Sequence, residues 1–197
     1  MLNDVADKYG FRQSREEERE ELRRYTAREL LDHLGVPRWK IPFITRHMRI
    51  LKAADLDQIR LFDGVSDLLR TLDETGITLA IVSSDTEANI RRVLGPENVA
   101  RIHHFACSAS LFGKPAKIRR VLKLSGVAPE QTLCIGDELR DAEAARATGT
   151  AFAAVTWGYA APEALARAAP GAMLPDLAAI AQVVERQDGR RAPIRLR

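Results

Sequence analysis

Two serines and an acid stand where an apolar segment meets a predicted helix. The run Ile77–Val82 is continuously apolar and rich in β-branched residues, which predicts a buried strand. Ser83, Ser84 and Asp85 follow it, and a helix is predicted from Thr86. Small hydroxyl groups and free backbone N–H groups at a helix start suit a phosphate oxygen. The same residue types are common helix caps, so capping stays open as the alternative.

A second predicted strand, Thr132–Ile135, ends in an acidic turn. Gly136 permits a tight turn, and Asp137 and Asp141 follow it with a spacing of four. If Asp141 lies in the first turn of the next helix, both carboxylates can face one hard cation. Oxygen ligands with several retained waters are typical of magnesium. The alternative is an acidic helix start that favours the helix dipole.

Lys114 is the third candidate for chemistry. It stands between Gly113 and Pro115, and a residue before proline disfavours helical backbone, so we expect Lys114 in a loop. A lysine there could offset the charge of a phosphoryl group and of nearby carboxylates. The alternative is a solvated surface lysine.

Strands alternate with helices from Phe62 onward, which predicts βαβ units and an α/β fold with a parallel sheet. Such a sheet is covered on both faces, which explains strands that are apolar throughout. Its ligands gather at the carboxyl ends of the strands. Besides the two strands above, we predict strands at Phe105–Cys107 and Ala151–Thr156, and helices over 64–74, 86–94, 116–124 and 138–147, from Pro162 and from Asp176.

The first sixty residues show only helical patterns. Ser14 and Glu17 have capping-box spacing, which predicts a helix to about His33, and a second helix is predicted beyond Pro37. We therefore predict a helical module over 1–62, an α/β core over 63–186 and a basic, flexible tail over 187–197.

The order of these motifs resembles the haloacid dehalogenase (HAD) superfamily. Strand–Ser–Ser, then Gly–Lys–Pro, then strand–Gly–Asp with a second Asp four residues on, resembles its motifs two, three and four. The helical module looks like its cap, and Trp157–Gly158–Tyr159 looks like a loop of phosphoglycolate-phosphatase-like members. The resemblance covers nearly the whole chain. It implies a Rossmann-like three-layer core and a Mg²⁺-dependent hydrolase of a small phosphorylated substrate, acting through an aspartyl phosphate.

The resemblance also implies roles for the candidate residues. Ser83 would hydrogen-bond the transferring phosphoryl oxygen, with Ser84 as a further substrate contact. Lys114 would stabilise charge on the phosphoryl group and on the nucleophile. Asp137 would bind Mg²⁺, and Asp141 would support the metal directly or through water. Catalysis in this family rests on positioning and electrostatic stabilisation.

The family's first motif, an apolar strand ending in Asp-x-Asp, does not precede the helical module. Its first Asp attacks phosphorus and its second acts as general acid and base. Asp55-Leu56-Asp57 has this spacing, but the residues before it read as helix, so we reject it as the nucleophile pair. In the family the missing strand lies between those ending at Ser83 and at Asp137, and its absence would leave two unpaired edges.

We therefore expect the natural protein to be longer at its N-terminus, and the 197-residue chain to be inactive or nearly so. The alternative is a non-catalytic relative that binds a phosphorylated ligand or a protein partner.

Composition excludes several classes of protein. Hydrophobic residues make up 46% of the chain and charged residues 29%, as in ordinary globular proteins, and no apolar run is long enough to cross a bilayer. With no secretory signal visible at Met1, we expect a cytoplasmic protein in which Cys107 and Cys134 are reduced, buried thiols. The net charge is +3, and arginines in the tail are weak evidence for nucleic-acid binding, which we do not predict.

Overall fold

The structure is a computed structural model that describes residues 2–107 and 113–188. The basic stretch from 189 onward, and with it most of the predicted tail, lies outside the described residues. Within the described ranges, no helix combines the length and apolar character that crossing a bilayer requires. The α-helices are α1 (Leu2–Tyr9), α2 (Arg19–Leu22), α3 (Ala27–His33), α4 (Ile41–Ala54), α5 (Val65–Glu74), α6 (Glu87–Arg101), α7 (Lys114–Ser125), α8 (Leu139–Thr148), α9 (Pro162–Arg167) and α10 (Leu177–Asp188). The strands are β1 (Ala80–Ser83), β2 (His104–Cys107), β3 (Leu133–Gly136), β4 (Ala151–Val155) and β5 (Ala172–Leu174).

The helical module over α1 to α4 has its own small core. Val5, Leu34, Val36 and Ile44 are all buried and pack together. Val5 lies on α1 and Ile44 on α4, while Leu34 and Val36 follow α3, so this core is built from the helices of the module and the connection between them.

The predicted single helix from Ser14 to His33 is wrong. The backbone N–H and hydroxyl of Ser14 bond to the side-chain oxygen of Asn3 at 3.1 and 3.0 Å, so its hydroxyl is not a helix cap. The capping box lies instead at Thr26 and Glu29, where each side chain accepts a bond from the other residue's backbone N–H. The segment is therefore two short helices, α2 and α3, rather than one long helix.

The described part of the chain has five strands, which are parallel within two separate sheets. Strand β1 pairs with β2, and β4 lies between β3 and β5. Strands β1 and β3 are both edges, which agrees with the expectation of two unpaired edges. The burial of each strand follows from its position in the sheet. The central strand β4 has three buried residues, whereas the edge strand β1 has none and Ile135 in the edge strand β3 is 40% exposed.

Several element bounds differ from the prediction. Strand β1 begins at Ala80 rather than at Ile77, and β5 was not predicted at all. Helix α6 runs on to Arg101, with a kink at Gly95, whose φ of 74° is left-handed, followed by Pro96. Strand β5 needs only three residues because it pairs with β4 alone. A run of three residues is too short to show the hydrophobic periodicity by which a strand is predicted.

Helix α7 connects the two sheets. It packs against β1 and β2 of the first sheet and against α8, which follows β3 of the second. Its buried side chains include Ile118 and Val121, and Gly126 ends it in the left-handed conformation that glycine adopts without strain. The candidate residues at the two strand ends are therefore positioned largely by one helix.

Candidate active site at the strand ends

Lys114 forms an ion pair with Asp141. Its ammonium group bonds Oδ1 of the carboxylate, and the two side chains are only 18% and 9% exposed. The prediction that Lys114 lies in a loop is wrong, because it is the first residue of α7. Pro115 in the first turn does not oppose this, since a proline there has no intrahelical N–H bond to lose. Lys114 is thus a held, mostly buried cation rather than a solvated surface lysine.

The second oxygen of Asp141 closes the start of α8. Oδ2 accepts a bond of 3.1 Å from the backbone N–H of Glu138, which is the residue that precedes the helix. Gly136 lies directly beneath: a Cβ built at this position would come within 2.4 Å of Asp141 Oδ2. The alternative of an acidic helix start therefore holds for Oδ2 of Asp141, which bonds the backbone at the start of α8. Oδ1 is used in the ion pair with Lys114.

Asp137 is enclosed by the loop that follows β4. Its Oδ2 accepts a bond of 2.8 Å from the backbone N–H of Tyr159, and its own carbonyl accepts one of 2.9 Å from the N–H of Ala160. The backbone of Gly158 approaches so closely that a Cβ there would lie 2.1 Å from the Cβ of Asp137. This close approach explains why a glycine stands in the Trp157–Gly158–Tyr159 segment. No bond to Oδ1 of Asp137 is found in the described part of the chain.

Ser83 and Asp85 make the bonds of a helix start. The Ser83 hydroxyl oxygen accepts a bond of 3.1 Å from the N–H of Asp85. Asp85 is 6% exposed, and its Oδ1 accepts bonds from the N–H of Thr86 at 2.7 Å and from the side chain of Asn89 at 2.9 Å. The cap of α6 is Thr86, whose hydroxyl accepts a bond of 3.2 Å from the N–H of Asn89, and Asp85 braces the residues around that cap. Among the described residues, the Ser83 hydroxyl accepts the bond from Asp85 and makes no donated one, so its proton is available to a ligand. Ser84 is half-buried, and among the described residues its side chain has no hydrogen bond.

Lys117 is a site residue that the sequence analysis missed. It is 8% exposed, and its ammonium group donates to the carbonyl oxygen of Ser83 at 2.6 Å. Its position three residues after Lys114 could have indicated this role, because residues three apart share a face of a helix. A loop at Lys114 gives no reason to expect the two lysines on one face.

Burial disfavours the charge on both lysines. It lowers the pKa of Lys114 from 10.5 to about 8, with the nearby guanidinium of Arg140 adding to the effect and the carboxylates of Glu138 and Asp137 opposing it. Burial also lowers the pKa of Lys117. Burial thus acts against the charge of two ammonium groups one turn apart on α7, of which that of Lys114 is paired with Asp141 and that of Lys117 donates to the Ser83 carbonyl.

The structure brings these residues together through α7. One turn of this helix contacts Ser83 through Lys117 and Asp141 through Lys114, and the charge of Asp137 acts on Lys114. The predicted groups therefore share one end of the two sheets. The decoy Asp55-Leu56-Asp57 lies in a 3-10 turn, and Asp57 forms an exposed ion pair with Arg92.

Asp137 and Asp141 have the right donor chemistry for magnesium. This ion is held by one or two carboxylates and keeps several waters. Asp137 offers Oδ1, whereas both oxygens of Asp141 already accept bonds, so its contribution would use remaining lone pairs or a bridging water. Within the described ranges, no group of three or more His, Cys, Asp or Glu side chains could hold a metal. The two carboxylates therefore have the donor chemistry of a magnesium site with few protein ligands.

A cavity of about 350 Å³ lies elsewhere. It is formed between the helical module and the outer side of α8 and α9, with Arg24, Glu29, Glu143, Arg146 and Arg167 around it. None of the five residues predicted for the site lines this cavity, so it is separate from the chemistry described above.

Comparison with known proteins identifies the family. The profile described as haloacid dehalogenase-like hydrolase matches residues 1–155, and the chain belongs to this family. A phosphoglycolate phosphatase from Synechococcus elongatus is 27% identical over 175 residues, which cover 88% of this chain and 82% of the relative. Phosphoglycolate phosphatase 1 from Pseudomonas aeruginosa is 28% identical over 121 residues, which cover 59% of this chain and 44% of that protein.

Solved structures share the fold. A protein from Clostridium acetobutylicum described as a predicted phosphatase has a TM-score of 0.76 at 15% identity, covering 92% of this chain and 87% of its own. The CbbY protein of Rhodobacter sphaeroides, crystallised with phosphate, has a TM-score of 0.67 at 21% identity, covering 90% and 85%. The α/β fold with parallel strands and a Rossmann-like core is thereby confirmed, and the family supports phosphatase chemistry.

Proposed function

We propose that this chain is the greater part of a magnesium-dependent phosphatase for a small phosphate ester. Ser83 and Lys114 would bind the phosphoryl oxygens and Asp137 would hold Mg²⁺, with Asp141 supporting the metal. The bound ion would supply charge neutralisation at the phosphoryl group. Two relatives are named phosphoglycolate phosphatases, so 2-phosphoglycolate is the first substrate to test. We expect the substrate to be a small molecule and not nucleic acid, and we expect the protein to act in the cytoplasm.

The observation that carries the proposal is the break between β1 and β3. Each strand ends at a candidate residue, Ser83 in one case and Gly136–Asp137 in the other, and each is an edge that no strand of the described residues pairs with on its outer side. Parallel strands put their carboxyl ends at one side of a sheet, where ligands bind. An apolar strand pairing with both edges would carry its own terminal residues to the same side.

We propose that such a strand supplies the nucleophile. An Asp-x-Asp at its end would provide one carboxylate to attack phosphorus and form the aspartyl phosphate, and a second to act as general acid and base. The described residues have no such pair at the end of a strand. The 197-residue chain alone would then bind Mg²⁺ and phosphate but would not turn over phosphate esters.

The test is an extended chain. An apolar strand ending in Asp-x-Asp-Gly-Thr is joined ahead of Met1, and a matched chain carries both acids as Asn. Phosphate release from 2-phosphoglycolate is measured with and without Mg²⁺. We expect turnover only from the acidic version with Mg²⁺, abolished by Asp137→Ala. Turnover by the 197-residue chain itself, lost in Asp137→Ala, would show that the nucleophile lies within it.

A second function is favoured by the Lys114–Asp141 ion pair. Lys114 and Asp141 neutralise each other, and the described residues place no Asp-x-Asp at a strand end beside them, which suits binding without turnover. A non-catalytic protein that binds a phosphorylated ligand would show phosphate affinity in the 197-residue chain and no turnover in the extended one.

A further inference from the structure

Arg23 in the helical module is bonded to the loop that encloses Asp137. It follows α2 directly, and its guanidinium donates from Nε to the carbonyl of Tyr159 at 2.9 Å and from Nη2 to the carbonyl of Gly158 at 3.2 Å. Its backbone carbonyl accepts a third bond, of 2.9 Å, from the N–H of Ala161. A glutamate one turn earlier, Glu20, bonds the remaining nitrogen Nη1 at 3.1 Å and holds the guanidinium in place.

The same peptide groups contact Asp137 on their other side. The peptide joining Gly158 to Tyr159 has its carbonyl on Arg23 and its N–H on the Asp137 carboxylate. The next peptide, joining Tyr159 to Ala160, has its carbonyl on Arg23 and its N–H on the Asp137 carbonyl. Two consecutive peptide units therefore bridge one arginine and one aspartate.

This geometry has an electrostatic consequence. A hydrogen bond from a cation to a carbonyl polarises the peptide, and the N–H of that peptide becomes a stronger donor. A stronger and better fixed donor at Tyr159 holds Oδ2 of Asp137, which leaves Oδ1 in one orientation. Ala160 and Ala161 are 2% and 3% exposed, so the bonds that their N–H groups donate are shielded from water, whereas Tyr159 is 52% exposed and its bonds to Arg23 and Asp137 lie near the surface.

We infer that Arg23 is a positioning residue for the metal carboxylate, acting through the backbone of 158–160. It contacts neither metal nor substrate. The inference rests on the proposed function only in that Asp137 is the metal ligand. Through Arg23, the helical module would therefore help to position the carboxylate of Asp137, in addition to any contact that it makes with the substrate.

The experiment measures two properties of the 197-residue chain. Mg²⁺ and Mn²⁺ affinities are obtained by calorimetry, and exchange of the Tyr159 and Ala160 amides is followed by NMR without metal. Arg23→Ala is compared with wild type, with Arg23→Lys as the conservative variant and Arg24→Ala as the matched control. The Arg24 side chain is exposed and, within the described residues, has no hydrogen bond or ion pair. Asp137→Ala reports whether binding requires this carboxylate.

We expect Arg23→Ala to weaken metal binding about tenfold, as loss of outer support for a ligand does, and to speed exchange of both amides. Arg23→Lys should recover part of both effects, and Arg24→Ala should match wild type. If Arg23→Ala does not fold, Arg23→Met, which keeps the aliphatic stem without donors, takes its place with the same expectation.

Wild-type affinity and amide exchange in the Arg23 variant would overturn the inference. If Asp137→Ala binds metal as wild type does, or wild type binds none, the proposed metal function fails. In that case amide exchange still decides the role of Arg23: faster exchange in Arg23→Ala supports it and unchanged exchange overturns it.

Discussion

The ammonium group of Lys117 lies 2.6 Å from the carbonyl oxygen of Ser83 and joins helix α7 to the end of strand β1. Within the described residues, strand β1 has a hydrogen-bonded neighbour on one side only, so this contact helps to hold its end in place. A buried carbonyl without a donor costs about 1–3 kcal/mol.

Removing this contact should therefore cost stability. We expect Lys117→Ala to lower the free energy of unfolding by about 1–3 kcal/mol, measured by urea denaturation. Lys123→Ala on the exposed side of the same helix should change it by less than about 0.5 kcal/mol. Equal effects of the two substitutions would contradict the assigned contact.

The Lys114–Asp141 pair should behave as a coupled unit. Asp141→Asn leaves a mostly buried ammonium unpaired, and we expect a loss of roughly 3 kcal/mol. Adding Lys114→Met removes that charge, so the double variant should be more stable than the sum of the two single effects, with a coupling of about 0.5–3 kcal/mol. Simple additivity in a double-mutant cycle would mean that the two side chains do not interact.

The lowered pKa of Lys114 gives stability a pH dependence. Its pKa is about 8 in the folded chain against an ordinary 10.5, so between these values the unfolded chain binds more protons. The free energy of unfolding contributed by this group therefore rises with pH from about 8 to 10.5, while below pH 8 the penalty is present in full. Unfolding is measured in metal-free buffer. We expect the rise to be smaller in Lys114→Met, and identical slopes would argue against a depressed pKa.

Gly158 should tolerate no side chain. A Cβ there would lie 2.1 Å from the Cβ of Asp137 and 2.5 Å from its Oδ2, so the carboxylate must move. We expect Gly158→Ala to reduce Mg²⁺ affinity at least tenfold in calorimetry, in the range of other changes around a metal ligand. Gly126→Ala is the matched control: its φ of +69° makes alanine strained, but nothing lies within 4 Å. That variant should lose about 1–2 kcal/mol of stability and keep its metal affinity.

The unpaired edges should make the chain associate. Exposed strand edges pair with other chains, and a lysine on the edge opposes this. We expect Ile135→Lys to reduce concentration-dependent association in light scattering. Leu124→Lys, on the surface of α7 at 59% exposure, removes a similar apolar group away from any strand and should have little effect. Equal effects would indicate general surface hydrophobicity instead.

The sequence predicted the order of elements and the strand ends well, because each depends on local signals. Continuous apolar runs gave β1, β3 and β4, and the residues after them gave Ser83 and the acidic turn. Strand β5 could not be found in this way, because its pairing with β4 is a property of the assembled sheet rather than of Ala172–Leu174.

The errors near the site share one cause. Pro115 favours a loop at Lys114 when only the preference of a residue before proline is considered, yet proline is also well tolerated in the first turn of a helix, where it stands in α7. Once Lys114 is on α7, Lys117 follows from spacing alone. The bonds from Arg23 to the loop at Gly158 and Tyr159 join residues more than 130 positions apart, and no local pattern reports them.

Helix α7 fixes the spacing between two contacts, one to α8 and one to β1. Lys114 and Lys117 are three residues apart, about 4.5 Å along the helix axis, and one reaches α8 while the other reaches β1. One residue inserted between them would turn one ammonium group by about 100° relative to the other. An evolving chain can therefore lengthen α7 beyond Val121 but not within this single turn, so length variation among homologues should spare it.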